Sequence, residues 1–215
     1  MDLDPPEVAR RLVIGLAGGV GAGKSTVAAI LARMGCVVAD ADALAHQALQ
    51  EAELRATITG WWGPKVLDAA GRIDRAAVAR IIFDRPAERK RLESLVHPWI
   101  RRRQKELFAA APREARALVI DAPLLFETGL DRECDAVIFV EAGRETRLAR
   151  LGAGRGWTQR ELDRREASQL PLDVKRSRAD YVVVNDGDLD DLTDQVRRIL
   201  DELNARRRGQ GKGPR

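Results

Sequence analysis

The stretch Leu12-Val13-Ile14-Gly15-Leu16-Ala17-Gly18-Gly19-Val20-Gly21-Ala22-Gly23-Lys24-Ser25-Thr26 decides the fold. It opens as a short apolar run closed by glycines, which reads as a fully buried parallel strand. From Lys24 to Met34, apolar residues return at helical spacing (Val27, Ile30, Leu31, Met34) until Gly35 stops the helix. Cys36-Val37-Val38-Ala39-Asp40 follows as a second buried strand that ends in an acid. Strand, helix and strand in this order predict a right-handed βαβ unit.

The turn inside that unit carries chemistry. Gly18-x-x-x-x-Gly23-Lys24-Ser25 is the pattern of a phosphate-binding loop (P-loop). Its glycines let successive N–H groups point inward at phosphate oxygens, and the following helix adds its positive end. Gly18, Gly19, Gly21, Ala22, Gly23, Lys24, Ser25 and Thr26 are the candidate ATP contacts. Lys24 is placed to reach the β and γ phosphates, and the Ser25 hydroxyl to meet Mg²⁺. A chance glycine-rich turn would fix the same few positions, but here the loop sits between a predicted buried strand and a helix. The Gly-Lys-Ser ending also disfavours a dinucleotide site.

Farther along, three more apolar runs read as strands: Ala117–Asp121, Ala136–Glu141 and Tyr181–Asn185. With the first two they predict a five-stranded, mostly parallel sheet in a three-layer α/β P-loop fold. Helical patterns dominate Ala43 to about Arg116, with Ala87–Val96 and Pro98–Ala110 read as separate helices. The expected organisation is a nucleotide-binding core over 12–45 and 116–205, a helical substrate region over 46–115, and a helical lid over 148–178. A final amphipathic helix over Leu189–Leu203 leads to a basic, disordered tail over 206–215.

The net charge of +4 does not announce a nucleic-acid partner. Five positive charges and no acid lie in the last ten residues, and without them the remainder carries −1. No aromatic residue interrupts that tail to stack on bases. No apolar run approaches the roughly 20 residues of a bilayer span. The N-terminus carries acids and prolines where a secretion signal is basic and then apolar, so a cytoplasmic protein is expected. Two cysteines and two histidines cannot build a zinc site, so a metal would be a hard cation held by oxygen.

Three acids lie at predicted strand ends. Asp40 and Asp42 follow the second strand, where an open α/β sheet places its crevice. A carboxylate there can accept the proton of a hydroxyl attacking a γ-phosphate. The competing reading makes Asp42 a helix N-cap. Asp121 ends a buried strand, where a P-loop enzyme places the carboxylate that holds magnesium, often through water. The stretch from Arg144 to Arg178 is rich in arginine, and Arg155 stands in the glycine-rich run Gly152–Gly156 as a candidate lid cation, with Arg165 as a substitute. A solvated, salt-bridged helix pair is the plainer account of the other arginines. His97-Pro98 reads either as a substrate contact or as a local cap, with Pro98 opening a new helix.

Taken together these patches resemble the dephospho-CoA kinase family. The phosphate loop, Val38–Asp42 with Ala45-His46, Val96-His97-Pro98-Trp99-Ile100-Arg101, and Asp121-Ala122-Pro123-Leu124-Leu125-Phe126-Glu127 are similar to its signatures. Arg155-Gly156-Trp157-Thr158, Gln169, the run Lys175–Asp180 and Asn185-Asp186-Gly187 complete the order. The resemblance implies transfer of the ATP γ-phosphate to the ribose 3′-hydroxyl of dephospho-CoA, the last step of coenzyme A synthesis. It also implies Asp42 as base, Arg155 as lid cation, and Asp40, His97 and Arg101 as acceptor contacts. Asn185 would lie near the ATP base, with Mg²⁺ at Ser25 and Asp121. ATP and dephospho-CoA would be the partners, with neither nucleic acid nor membrane, and a monomer is compatible with the sequence. A nucleoside or nucleoside monophosphate kinase would share the loop and lid but lack the His97-Pro98 and Pro123–Glu127 pairing. A GTP-dependent switch would carry Asn-Lys-x-Asp, which this chain lacks.

Overall fold

The computed structural model describes residues 11–83 and 85–210. Five strands, β1 Val13–Gly18, β2 Val37–Asp40, β3 Leu118–Asp121, β4 Ala136–Glu141 and β5 Tyr181–Val184, form one sheet in the order β2-β3-β1-β4-β5. The β1–β3, β1–β4 and β4–β5 pairs are parallel. The chain leaves β1 toward β2 and leaves β3 toward β4, so two adjacent strands part in opposite directions. Their carboxyl ends therefore open on the crevice where α/β sheets bind ligands. The register sets Leu16 opposite Asp121 and Gly18 opposite Val140.

Side-chain alternation along β1 separates the layers. Ile14 and Leu16 are buried with Val27, Ile30 and Leu31 of α1 (Lys24–Arg33) and with Leu192, Val196 and Leu200 of the C-terminal helix. Gly15 lies between them and faces the opposite layer, against Leu125 and Cys134. The C-terminal helix runs Leu189–Gln210, so residues 206–210 of the expected tail are helical, and 211–215 lie outside the described residues. Arg206 extends the helix by pairing with Glu202 one turn back and lying over the Tyr181 ring.

Residues 40–110 form a second compact unit. It contains α2 (Ala41–Gln50), α3 (Ala52–Trp62), α4 (Arg75–Phe83) and α5 (Pro86–Ala109). Its own core gathers Leu49, Leu54, Ile58, Val66, Val78, Leu92 and Val96. Contrary to expectation, Pro98 opens no new helix and sits inside the 24-residue α5. A proline removes one backbone donor. Here the apolar stripe Leu92, Val96, Ile100 runs past it into the same core and outweighs that loss.

The remaining helices belong to the first unit: α6 Arg144–Arg155, α7 Gln159–Glu166, α8 Leu172–Ser177 and α9 Leu189–Gln210. Among the described residues no helix is long and apolar enough to cross a membrane.

Candidate active site

The phosphate loop spans the gap between β1 and α1. Gly21 (φ 79°) and Gly23 (φ 91°) take left-handed conformations that side chains resist, and the Ala22 N–H donates to the Gly19 carbonyl at 3.1 Å. Gly23 is the N-cap of α1 and offers no side-chain cap, which leaves the helix's positive end for an anion. Lys24 Nζ donates to Asp121 Oδ1, and Asp121 is almost wholly buried at the end of β3. Ser25 is exposed one residue after Lys24. Sequence-predicted residues from two distant segments are thus brought together here.

Asn185, just past β5, lies against the loop itself. Its Nδ2 donates to the Ala22 carbonyl at 2.8 Å and its side chain is buried. Arg150 Nη2 donates to Asn185 Oδ1 at 3.4 Å. Arg147 is buried beside them, donating to the Ala142 carbonyl at 3.2 Å and the Val20 carbonyl at 3.3 Å, and pairing with Glu166. Asp186 accepts from the Gly143 N–H at 2.9 Å. That bond, with the Thr146 hydroxyl and the Arg150 charge, holds its carboxyl below the ordinary range. Sequence reasoning missed Arg147 and Arg150. Their signal was the row Arg144, Arg147, Arg150 at i, i+3 spacing, which puts three guanidinium groups along one side of α6.

The expected lid forms α6, α7 and α8. Gly152 and Gly154 lie within α6, and Gly156 (φ 65°) ends it, so Arg155 closes a helix instead of sitting in a turn. The Arg155 side chain lies outside the described residues. Arg165 is already engaged: its Nε donates to Glu161 at 2.9 Å and its guanidinium lies 4.2 Å from the Trp157 ring centroid.

In the helical unit, Asp40 accepts from the Asp42 N–H at 2.9 Å and the Ala43 N–H at 3.0 Å. Asp40 is therefore the N-cap of α2, and the capping role offered to Asp42 belongs to its neighbour because the strand ends two residues earlier. Asp42 is left exposed in the first helical turn. His97 and Arg101 are exposed one turn apart on α5. A cleft of about 650 Å³ lies within this unit, lined by His46, Trp99, Arg102 and Arg103 together with the acids Glu51 and Glu106. His97 and Arg101 do not line it.

A family model described as dephospho-CoA kinase matches residues 12–191. The chain belongs to the dephospho-CoA kinase family. That family catalyses the final ATP-dependent step of coenzyme A biosynthesis, and this member is a phosphotransferase. A dephospho-CoA kinase of Synechococcus sp. (strain CC9902) is 40% identical over 189 residues, covering 87% of this chain and 94% of the relative. The crystal structure of a Thermus thermophilus protein is similar with a TM-score of 0.80 at 37% identity, over 90% of this chain and 98% of that one. Dephospho-CoA kinase from Campylobacter jejuni is similar with a TM-score of 0.66 at 26% identity, over 90% and 97% of the two chains. The match to the dephospho-CoA kinase model takes in the phosphate loop, Asp42, His97, Asp121, Arg155 and Asn185.

Proposed function

We propose that this chain transfers the γ-phosphoryl group of ATP to the ribose 3′-hydroxyl of dephospho-CoA by in-line displacement. In this reading Asp42 takes the hydroxyl proton, Lys24 neutralises charge on the β and γ phosphates, and Arg155 supplies a lid cation. The observation that carries it is the convergence of Lys24 and Asp121 beside the phosphate loop, in a chain matched to the family over residues 12–191. In-line transfer demands positioning and charge neutralisation more than covalent chemistry, which suits residues of these kinds.

Mg²⁺ is the metal this reading requires. The Ser25 hydroxyl and the Asp121 carboxylate are hard oxygen donors near the triphosphate cradle, and they fit a cation that keeps several waters and shares phosphate oxygens. Bound there, it would neutralise charge on the transferring group. Lys24 pairs with Asp121 beside the loop. Asn185 supports the loop through the Ala22 carbonyl, and the family resemblance puts it near the ATP base.

The helical region over 46–115 is the acceptor side. Asp40 orients the start of α2 and thereby Asp42. His97 and Arg101 are carried over from the resemblance as acceptor contacts. The cleft beside Arg102 and Arg103 offers room for the diphosphate arm of the same acceptor, which would compete with Glu106 for these two guanidinium groups. The enzyme is read as cytoplasmic and independent of nucleic acid.

The test is ADP release from ATP and Mg²⁺, with and without dephospho-CoA, in wild type and Asp42→Asn. Acceptor-dependent turnover is expected, and the variant should lose about 10²–10⁴-fold in kcat while still binding ATP. Full turnover in the variant would remove Asp42 from its role. Stimulation by a nucleoside but not by dephospho-CoA would remove the named acceptor.

A further inference from the structure

Among the residues that carry the family resemblance, the run Pro123–Glu127, Gln169 and Lys175 have no part in the chemistry above. In the structure they meet. Lys175, on the short α8, is the most thoroughly sealed charged side chain among the described residues, with only 1% of its surface exposed. Its ammonium lies 2.8 Å from Glu127 Oε1, 2.9 Å from Gln169 Oε1 and 3.3 Å from the Pro123 carbonyl. A lysine ammonium has three N–H donors, and here three acceptors receive them. The same Glu127 oxygen also accepts from the Leu170 N–H at 2.9 Å.

Each partner leads to the site. Pro123 stands two residues after Asp121, so fixing its carbonyl fixes the path of the chain just past the carboxylate at the end of β3. Leu170 and Gln169 belong to the link between α7 and α8. Leu172, the first residue of α8, packs so closely on Gly19 of the phosphate loop that a β-carbon there would stand 3.2 Å from its Cδ2. One ammonium thereby pins the exit of β3, the root of the lid and the helix that buttresses the phosphate loop.

We propose that Lys175 is a positioning residue for phosphoryl transfer. Through Glu127, Gln169 and the Pro123 carbonyl it sets Asp121 and the phosphate loop in register, without touching either substrate. The inference rests on the reading of Asp121 and the loop as the metal and phosphate site. It predicts a loss in kcat, because a small displacement of positioned groups from a distant change can cost about 10²-fold.

The experiment compares wild type, Lys175→Met, the double variant Lys175→Met/Glu127→Leu, and Asp121→Asn. It measures kcat per titrated ATP-binding site, KM for both substrates, the Mg²⁺ concentration for half-maximal rate, and the thermal midpoint. Lys175→Met leaves the partly exposed Glu127 carboxylate without its partner and should lower the midpoint. The double variant replaces this pair, sealed at its lysine end, by apolar groups and should recover it. If Lys175 positions the site, the double variant keeps a kcat about 10²-fold down and an Mg²⁺ requirement shifted upward, despite its restored midpoint. If kcat per binding site is unchanged in Lys175→Met, or returns together with the midpoint in the double variant, Lys175 only fills the core and the proposal is overturned. Asp121→Asn separates the two readings: full activity there, with normal Mg²⁺ dependence, removes the assignment of Asp121, whatever the Lys175 variants do.

Discussion

Gly23→Ala should disable the loop in a way that a second substitution exposes. Gly23 holds φ at 91°, and a β-carbon on it would stand against Asn185 Nδ2 and 3.3 Å from Asn185 Cγ. Alanine therefore brings two costs. The left-handed conformation contributes about 1–2 kcal/mol. Displacing the Asn185 amide breaks its bond to the Ala22 carbonyl inside the protein, for about 1–3 kcal/mol. The expected total is about 2–5 kcal/mol, a large share of the roughly 5–15 kcal/mol that holds a domain together. Asn185→Ala alone loses only the bond, about 1–3 kcal/mol. The two changes destroy the same contact, so the double variant should cost about as much as Gly23→Ala by itself, and less than the sum of the two single changes. Urea unfolding reads this directly, provided the midpoint moves and the slope does not. If the two costs simply add, the amide of Asn185 is not what occupies the space beside Gly23, and the account of that glycine fails.

Acid and thiol chemistry give two further tests. Burial pushes the Glu127 carboxyl up, but bonds from Lys175 and the Leu170 N–H overcome this and leave it below the ordinary glutamate range. A depressed native pKa stabilises fully above the unfolded value, near pH 4.3, and the contribution is lost as pH falls through the native value. Circular dichroism across an acid titration should show Glu127→Gln losing part of the wild type's sensitivity below about pH 4, and an unchanged acid limb would count against the ion pair. Burial raises Cys36 to about 11, against the pull of Arg116, and raises Cys134 to about 12 with help from Asp131 and neighbouring acids. Iodoacetamide at pH 8 should leave both thiols unmodified in the native protein and alkylate both in urea, as read by intact mass. Rapid native labelling of Cys134 would contradict its packing against Gly15.

The parts of the fold that were legible are those where local pattern and burial agree. The run from Leu12 to Ala17, the glycine-rich turn and the stripe Val27, Ile30, Leu31 each point to one structure, and the sheet was built from such runs. Pro98 misled because a local rule met a stronger tertiary one: the stripe on either side of it is buried in a single core. The tail misled in the opposite sense. Composition marks residues 206–210 as unstructured, but Arg206 finds Glu202 and Tyr181, which no composition reveals. At the site, Lys24 and Asp121 were readable because each ends or begins an element. Arg147 and Lys175 were not, because a charged residue in a charged helix looks solvated until its depth is known.

The two ion pairs that bracket the end of β3 show how one residue type can serve opposite ends. Lys24 and Asp121 retain 16% and 5% side-chain exposure, and their contact sits where a triphosphate would enter. An anion arriving there competes for Lys24 with an acceptor of its own charge, and the buried Asp121 carboxylate then needs another cation, the role proposed above for Mg²⁺. Lys175 has 1% exposure and three acceptors already in hand. Nothing entering the phosphate loop can offer it a better partner, and removing it leaves the Glu127 carboxylate without its cation. The first lysine is therefore suited to change partners during turnover, and the second is suited to keep them. An enzyme that must let one cation go while the surrounding carboxylates hold still needs both kinds, and β3 with its exit loop carries a carboxylate for each.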